Sequence, residues 1–212
     1  MLNTPYVETL PAPLLEKIAR RAAVRNFHKN AIIVSEGDDT DSLYVLLEGR
    51  VRVFVSGSEG RELEVNRIGP GGYFGEVVID GGPRSASVMA LEACRCAIVH
   101  RIELSRFLAE MPEFGEHLMR KLAHRVRLLT ESMRDLATMD VYGRVARLLL
   151  ELAETVDGRL VIAEKLTQKD IAQRVGCSRE MISRIFSDLT AGGYLLREAG
   201  RIVIQRKPPP RW

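Results

Sequence analysis

The sequence predicts an α+β chain in three parts: a small all-β roll, a long connecting helix and a compact α+β end. Three observations carry that expectation. Between Ala31 and about Ile102, short runs rich in Val, Ile, Leu and Tyr are separated by Gly, Pro and Asp, as a small barrel or roll requires. A polar–apolar pattern of helical period then runs to near Ala137. After a break near Thr138–Asp140, helical patterning resumes and closes in two β-like runs that turn at Glu198–Gly200.

Composition sets the class. The 212 residues are 46% hydrophobic and 28% charged, with no low-complexity tract, which fits a globular chain of one large or two modest domains. No apolar run approaches the roughly 20 residues of a membrane span, so no membrane association is expected. The start, MLNTPYVETLPAPLLEKIARR, has no positive stretch followed by an apolar block and predicts no secretory leader. Cys94, Cys96 and Cys177 make no disulfide framework, and a reducing cytoplasm suits them. Charge is uneven: residues 1–138 hold 18 Lys and Arg against 19 Asp and Glu, whereas 139–212 hold 13 against 9. The net of +4 points to an anionic partner for the second part, a hint that needs motif support.

The elements follow in order. A short helix is expected after Pro13, with Leu14, Leu15, Ile18 and Ala22 along one side. Strands follow from Ala31, and RVRVFVSGSEGRELEV reads as a hairpin turning through Gly57–Gly60. Pro112 separates two helices. In the second, Met119, Leu122, Val126, Leu129, Met133 and Leu136 recur at spacings of 3 and 4, a heptad seam flanked by Arg120, Arg125, Arg127 and Glu131. One stripe packing on its own domain explains such a seam; its narrowness and basic flanks favour pairing with a second copy as a homodimer. Asp140 caps the next helix, and the chain is expected to stay helical until GGYLLREAGRIVIQRK.

The strongest local signal is LTQKDIAQRVGCSREMISRIFSDLTAGGYL. Thr167 and Asp170 form a capping box, and Ile171, Ala172 and Val175 make a buried face. Gly176 ends that helix, and Ser178 caps the next, whose Ile182, Ile185, Phe186 and Leu189 turn inward. Arg179, Glu180, Ser183, Arg184 and Ser187 share the opposite face. This is helix-turn-helix architecture, which places the second helix in the DNA major groove. Ser178, Arg179, Glu180, Ser183 and Arg184 are the candidate DNA-contacting residues: arginine reads guanine bidentately, and glutamate accepts from cytosine N4. A following hairpin with Arg197, Arg201, Arg206 and Lys207 makes a wing near the phosphates.

VGCSREMISRIF, DVYGRVARLLL and FGE with PRSASV resemble the CRP/FNR family of bacterial transcription regulators, closest to its cyclic-AMP receptor branch. The resemblance implies a cyclic-nucleotide-binding-like jelly roll with a dimerising helix (residues 1–138, the helix from about 113) and a winged helix-turn-helix (139–212). It implies double-stranded DNA as partner through a TGTGA-like inverted repeat, with RNA polymerase as a second partner. No nucleophile–base pair or metal-ligand spacing stands out in the sequence, so no enzyme is expected. Arg179, Glu180 and Arg184 match the branch's base-reading residues.

In the cassette Gly75 and nearby backbone N–H groups approach a phosphate, Arg84 supplies a cationic fork, and Ser85 a hydroxyl. Glu76 is the acceptor for a ribose hydroxyl. The run from Glu76 to Arg84 is one residue shorter than is usual in the family. Leu129 and Thr130 stand where its cyclic-AMP binders carry Thr-Ser, which leaves Thr130 to reach the base from either subunit. Cyclic AMP is the favoured ligand; cyclic di-GMP and no small ligand stay open. So does a nucleotide-binding regulatory subunit that acts through protein contacts. No metal is expected: the chain lacks an N-terminal cysteine cluster, and Cys94 and Cys96 are assigned to opposite faces of one strand. His28, His100, His117 and His124 are read as ordinary surface or core residues.

Overall fold

The computed structural model describes residues 9–57, 62–198 and 200–208. The chain divides into two compact units, Leu2–Leu128 and Leu129–Trp212. Helix α1 spans Ala12–Arg21, after Pro11, and buries Leu14 and Ile18. The strands of the first unit are β1 (Ala23–Phe27), β2 (Ile32–Val34), β3 (Ser42–Glu48), β4 (Val51–Ser56), β5 (Glu62–Ile68), β6 (Tyr73–Phe74), β7 (Ser87–Ala90) and β8 (Cys94–His100). They form two antiparallel four-stranded sheets, in the orders β1-β8-β3-β6 and β2-β7-β4-β5.

The sequence of β3, SLYVLLE, is apolar without alternation because both of its faces are covered. Leu46, with Phe74 and Cys96, packs on Val51, Val53 and Val88 of the other sheet. Leu43 and Val45, with Tyr73 and Val99, pack on Leu14 and Ile18 of α1, on Leu104 and Phe107 of α2 (Arg101–Glu110), and on Phe114 and Leu118 of α3 (Pro112–Thr138). Burying such side chains is worth about 1.5–3 kcal/mol each, so one sheet is held from both sides.

Three features differ from what the sequence predicts. Ala23–Phe27 is a strand directly after α1, paired with β8 at the sheet edge. Four of its five residues are exposed, so it carries no inward pattern. Cys94 and Cys96 are both buried while Arg95 between them is exposed: residues two apart on a strand share a face. The third is a hairpin in the second unit, described below. The β4–β5 hairpin is present as expected, and its turn lies largely outside the described residues.

The second unit contains the last turns of α3, then α4 (Val141–Leu152), β9 (Glu154–Val156), β10 (Arg159–Ile162), α5 (Gln168–Val175), α6 (Arg179–Ala191), β11 (Leu195–Glu198) and β12 (Arg201–Ile204). The β9–β10 hairpin interrupts the stretch expected to stay helical. Asp157 and Gly158 both have positive φ, the requirement of a tight hairpin turn, and Asp-Gly is the pair suited to it. The sheet order is β11-β12-β10-β9. Ile162, Ile202 and Ile204 of this sheet meet Val145 and Leu149 of α4, Ile171 of α5, and Ile182 and Phe186 of α6 in one core. Asp140 caps α4 by accepting from Gly143 N at 2.7 Å.

The joint between α3 and α4 is braced within this unit. Asp135 pairs with Arg147, and Arg144 donates to Met139 O at 3.0 Å and to Val175 O at 3.2 Å. Among the described residues no helix is long and apolar enough to cross a membrane, and no group of three or more His, Cys, Asp or Glu is placed to hold a metal ion.

Candidate functional site

The first site forms where β6 ends. Gly75 has φ 82° and ψ 16°, in the left-handed region, and starts a 3-10 segment, Glu76–Asp80. A Cβ at Gly75 would stand 2.7 Å from Arg84 Nη1 and 2.8 Å from Ser42 O. Only glycine lets β6, β3 and Arg84 close this tightly. Arg84 is 3% exposed. Its Nε donates to Thr40 Oγ1 at 2.6 Å, Nη1 to Gly75 O at 3.1 Å, and Nη2 to Ser42 O at 2.6 Å. Three of the five guanidinium N–H groups are thereby fixed, which leaves one further N–H on each terminal nitrogen. Burial pulls the Arg84 pKa down from the usual guanidinium value. Tyr44, whose ring centroid is 6.0 Å from Arg84 Cζ, stacks on Phe74 at 5.1 Å.

Glu76 is 5% exposed, and its Oε1 lies 3.5 Å from Arg125 Nη1 on α3. A carboxylate and two cations at this density suit an anion that also carries a hydroxyl. Gly75, Glu76 and Arg84 are therefore brought together. Ser85 is exposed on the chain beside them, and Thr130 is exposed on α3 in the other compact unit.

Sequence reasoning missed Thr40 and Ser42 as holders of Arg84, and Arg125 as the partner of Glu76. It also missed Lys121, which is 1% exposed, donates to Tyr73 O, and lies 3.7 Å from the Tyr73 ring centroid. One signal was present. Phe114, Leu118, Lys121 and Arg125 recur at spacings of 4, 3 and 4, a second stripe on α3 beside the heptad seam. The seam itself is bare in the single chain: Met119 is 66% and Met133 71% exposed, and Leu122, Val126, Leu129 and Leu136 are exposed with them.

The second site is the α5–α6 pair. The capping box is complete, with Thr167 Oγ1 accepting from Asp170 N at 3.1 Å and Asp170 accepting from Thr167 N at 2.8 Å. Gly176 ends α5 at φ 75°, and Ser178 caps α6 by accepting from Met181 N at 3.2 Å. With Ile182, Ile185, Phe186 and Leu189 buried, Ser178, Arg179, Glu180, Ser183 and Arg184 all stand exposed on one side. The Glu180 carboxyl is held below its usual range, first by its own backbone N–H and then by Ser178, so it stays an acceptor near neutral pH.

Residues 24–111 match the model of the cyclic nucleotide-binding domain, and 143–208 that of the Crp-like helix-turn-helix domain. The chain is 34% identical over 184 residues to a CRP-like cAMP-activated global transcriptional regulator of Mycobacterium tuberculosis, covering 84% of this chain and 82% of the relative. The chain belongs to the CRP/FNR family of transcription regulators. A second member, the cAMP-activated global transcriptional regulator CRP of Pasteurella multocida, is 29% identical, covering 96% of this chain and 98% of that one. In fold the chain is also similar to the c-di-GMP responsive global regulator CLP of Xanthomonas campestris, with a TM-score of 0.79, 24% identity, and coverage of 92% and 99%. As a CRP/FNR member it is a DNA-binding transcription regulator with a cyclic nucleotide-binding domain; its relatives fall in a non-enzyme class.

Proposed function

We propose that this CRP/FNR member is a homodimer that binds a TGTGA-like inverted repeat and responds to a cyclic nucleotide, cyclic AMP first among the candidates. Residues 1–138 form the sensor and 139–212 the DNA-binding part. The observation that carries the ligand reading is Arg84: a buried guanidinium tied to two backbone carbonyls and a hydroxyl, with one N–H of each terminal nitrogen left over, beside the buried Glu76. A phosphate meets the Arg84 fork and the Ser85 hydroxyl against Gly75, while Glu76 accepts from the sugar hydroxyl. Thr130, from its own subunit or the partner, faces the base.

The bare seam supports pairing between copies through Met119, Leu122, Val126, Leu129, Met133 and Leu136, since monomeric proteins rarely leave such a stripe in water. Arg179, Glu180 and Arg184 read bases, while Ser178 and Ser183 support the contact. The relatives' class makes RNA polymerase the expected protein partner and the cytoplasm the place of action. Calorimetric titration with cyclic AMP, cyclic GMP and cyclic di-GMP tests the ligand reading. Heat with cyclic AMP that disappears in Arg84→Ala supports it. Equal heats from both proteins, or none from the wild type, end it.

A further inference from the structure

A single loop, residues 36–42, grips Arg84 at both its backbone and its side chain. Gly37 N donates to Arg84 O at 2.9 Å, and Arg84 N donates to Asp38 O at 2.9 Å. Thr40 and Ser42 take the guanidinium from the same loop. The loop reads EGDDTDS, and its Glu36, Asp38, Asp39 and Asp41 are all exposed. Glu36 is turned away to accept from Ser56 N at 3.0 Å. Asp41 Oδ1 lies 3.4 Å from His100 Nδ1 and accepts from Ser42 Oγ at 3.2 Å. The His100 contact first, then Ser42, holds the Asp41 carboxyl below its usual range, so it stays ionised near neutral pH. Among the described residues neither Asp38 nor Asp39 stands in a salt bridge.

We propose that this acidic loop selects the charge of the anion taken at Arg84, with Asp38 and Asp41 as the specificity-determining residues. A phosphodiester, which carries one negative charge, is accepted; a phosphomonoester, which carries close to two, is rejected. The inference rests on the cyclic-nucleotide reading of the site and adds what excludes linear nucleotides from it. Arg84 offers one positive charge, and the nearby Arg125 already faces Glu76 at 3.5 Å. Burial lowers the Arg84 pKa most, and Tyr44, Asp41, Asp38 and Glu76 oppose it, so the fields of the three carboxylates reach the guanidinium. A ligand charge beyond the first therefore meets carboxylates with no second cation to offset them. Repulsion of this kind discriminates by penalising the wrong ligand rather than by adding a contact to the right one. It scales with ligand charge, so on a logarithmic scale a dianion feels each carboxylate twice as strongly as a monoanion.

Displacement of a fluorescent cyclic AMP analogue from the full chain tests this, at about pH 8, where a phosphomonoester is a full dianion. The competitors are cyclic AMP, 5′-AMP and the methyl ester of 5′-AMP. The ester is linear like 5′-AMP but has the single charge of the cyclic compound, so it separates charge from shape. In the wild type the ester displaces the analogue better than 5′-AMP does, and added KCl narrows the gap. Asp38→Asn and Asp41→Asn each narrow it by about 1.4- to 5-fold, the effect of one exposed charge pair, and the double variant by about 2- to 25-fold. Asp38→Asn decides alone if Asp41→Asn disturbs the contacts with Ser42 and His100. An ester no better than 5′-AMP in the wild type overturns the charge selection, as does a gap that persists unchanged in the neutralised variants. A wild-type chain that binds no cyclic AMP analogue overturns the ligand reading itself, and the charge selection with it.

Discussion

Gly75→Ala separates two costs that the structure places on one residue. The first is conformational: φ 82° lies in the left-handed region, which costs an ordinary residue about 1 kcal/mol. The second is steric. The new methyl stands 2.7 Å from Arg84 Nη1 and 2.8 Å from Ser42 O, and neither neighbour moves freely. Arg84 is buried and tied at three points, and Ser42 belongs to β3, which pairs with β8. Overpacking of this kind costs about 1–3 kcal/mol, so the total is about 2–4 kcal/mol. Gly37→Ala supplies the control, since Gly37 has φ 83° and nothing within 4 Å of its Cβ position; it bears only the conformational cost of about 1 kcal/mol. Urea unfolding of both variants, with hydrogen exchange at β3 and β6 as the local probe, measures the difference. The substitution at Gly75 is also expected to weaken cyclic AMP binding, while that at Gly37 is not. Equal destabilisation by the two variants, within about 0.5 kcal/mol, refutes the steric argument.

Other consequences follow from single contacts. Thr40→Val removes the hydroxyl that holds Arg84 Nε at 2.6 Å; the loss is about 1.5–3 kcal/mol in unfolding experiments, with cyclic AMP affinity falling and Thr40→Ser restoring both. Asp140→Ala removes the α4 cap and lowers the stability of the second unit by about 1 kcal/mol, measured by thermal unfolding. Arg147→Ala breaks the pair with Asp135, and because Arg147 is partly exposed the stability change is small, about 0.5 kcal/mol; exchange between residues 135 and 145 quickens more clearly. Burial pushes the Cys96 thiol up to about 12 from its ordinary value of 9.0. A raised thiol pKa stabilises the fold fully below the unfolded value and progressively less as pH climbs toward the folded one. Stability is therefore expected to fall between about pH 9 and 12, at up to about 1.4 kcal/mol per unit, and Cys96→Ala flattens that decline.

The helix-turn-helix was legible because its determinants are local. Thr167, Asp170, Gly176 and Ser178 act within one turn of where they stand. The cluster around Arg84 was half legible. Gly75, Glu76 and Arg84 declare themselves by residue type, whereas the groups that fix them come from far along the chain: Thr40 and Ser42 lie 44 and 42 residues from Arg84, and Arg125 lies 49 from Glu76. No periodicity encodes such pairings. β1 was missed because an exposed edge strand carries no buried alternation. The β9–β10 hairpin was overlooked although Asp157-Gly158 marks its turn, because the apolar run of α4 leads straight into it. Arg206, expected with the rest of the wing to meet phosphates, is drawn into the carbonyls at the end of α6, which only the folded hairpin brings within reach.

If the clamp around Arg84 governs operator binding, anisotropy of the purified chain on a TGTGA-N6-TCACA duplex, with and without cyclic AMP, reads it out for the wild type and Arg84→Ala. Cyclic AMP is expected to tighten wild-type binding and to leave the variant unchanged, both proteins being folded. Equal wild-type affinity with and without the nucleotide, or an undiminished response in Arg84→Ala, would show that the clamp does not control the DNA-binding unit.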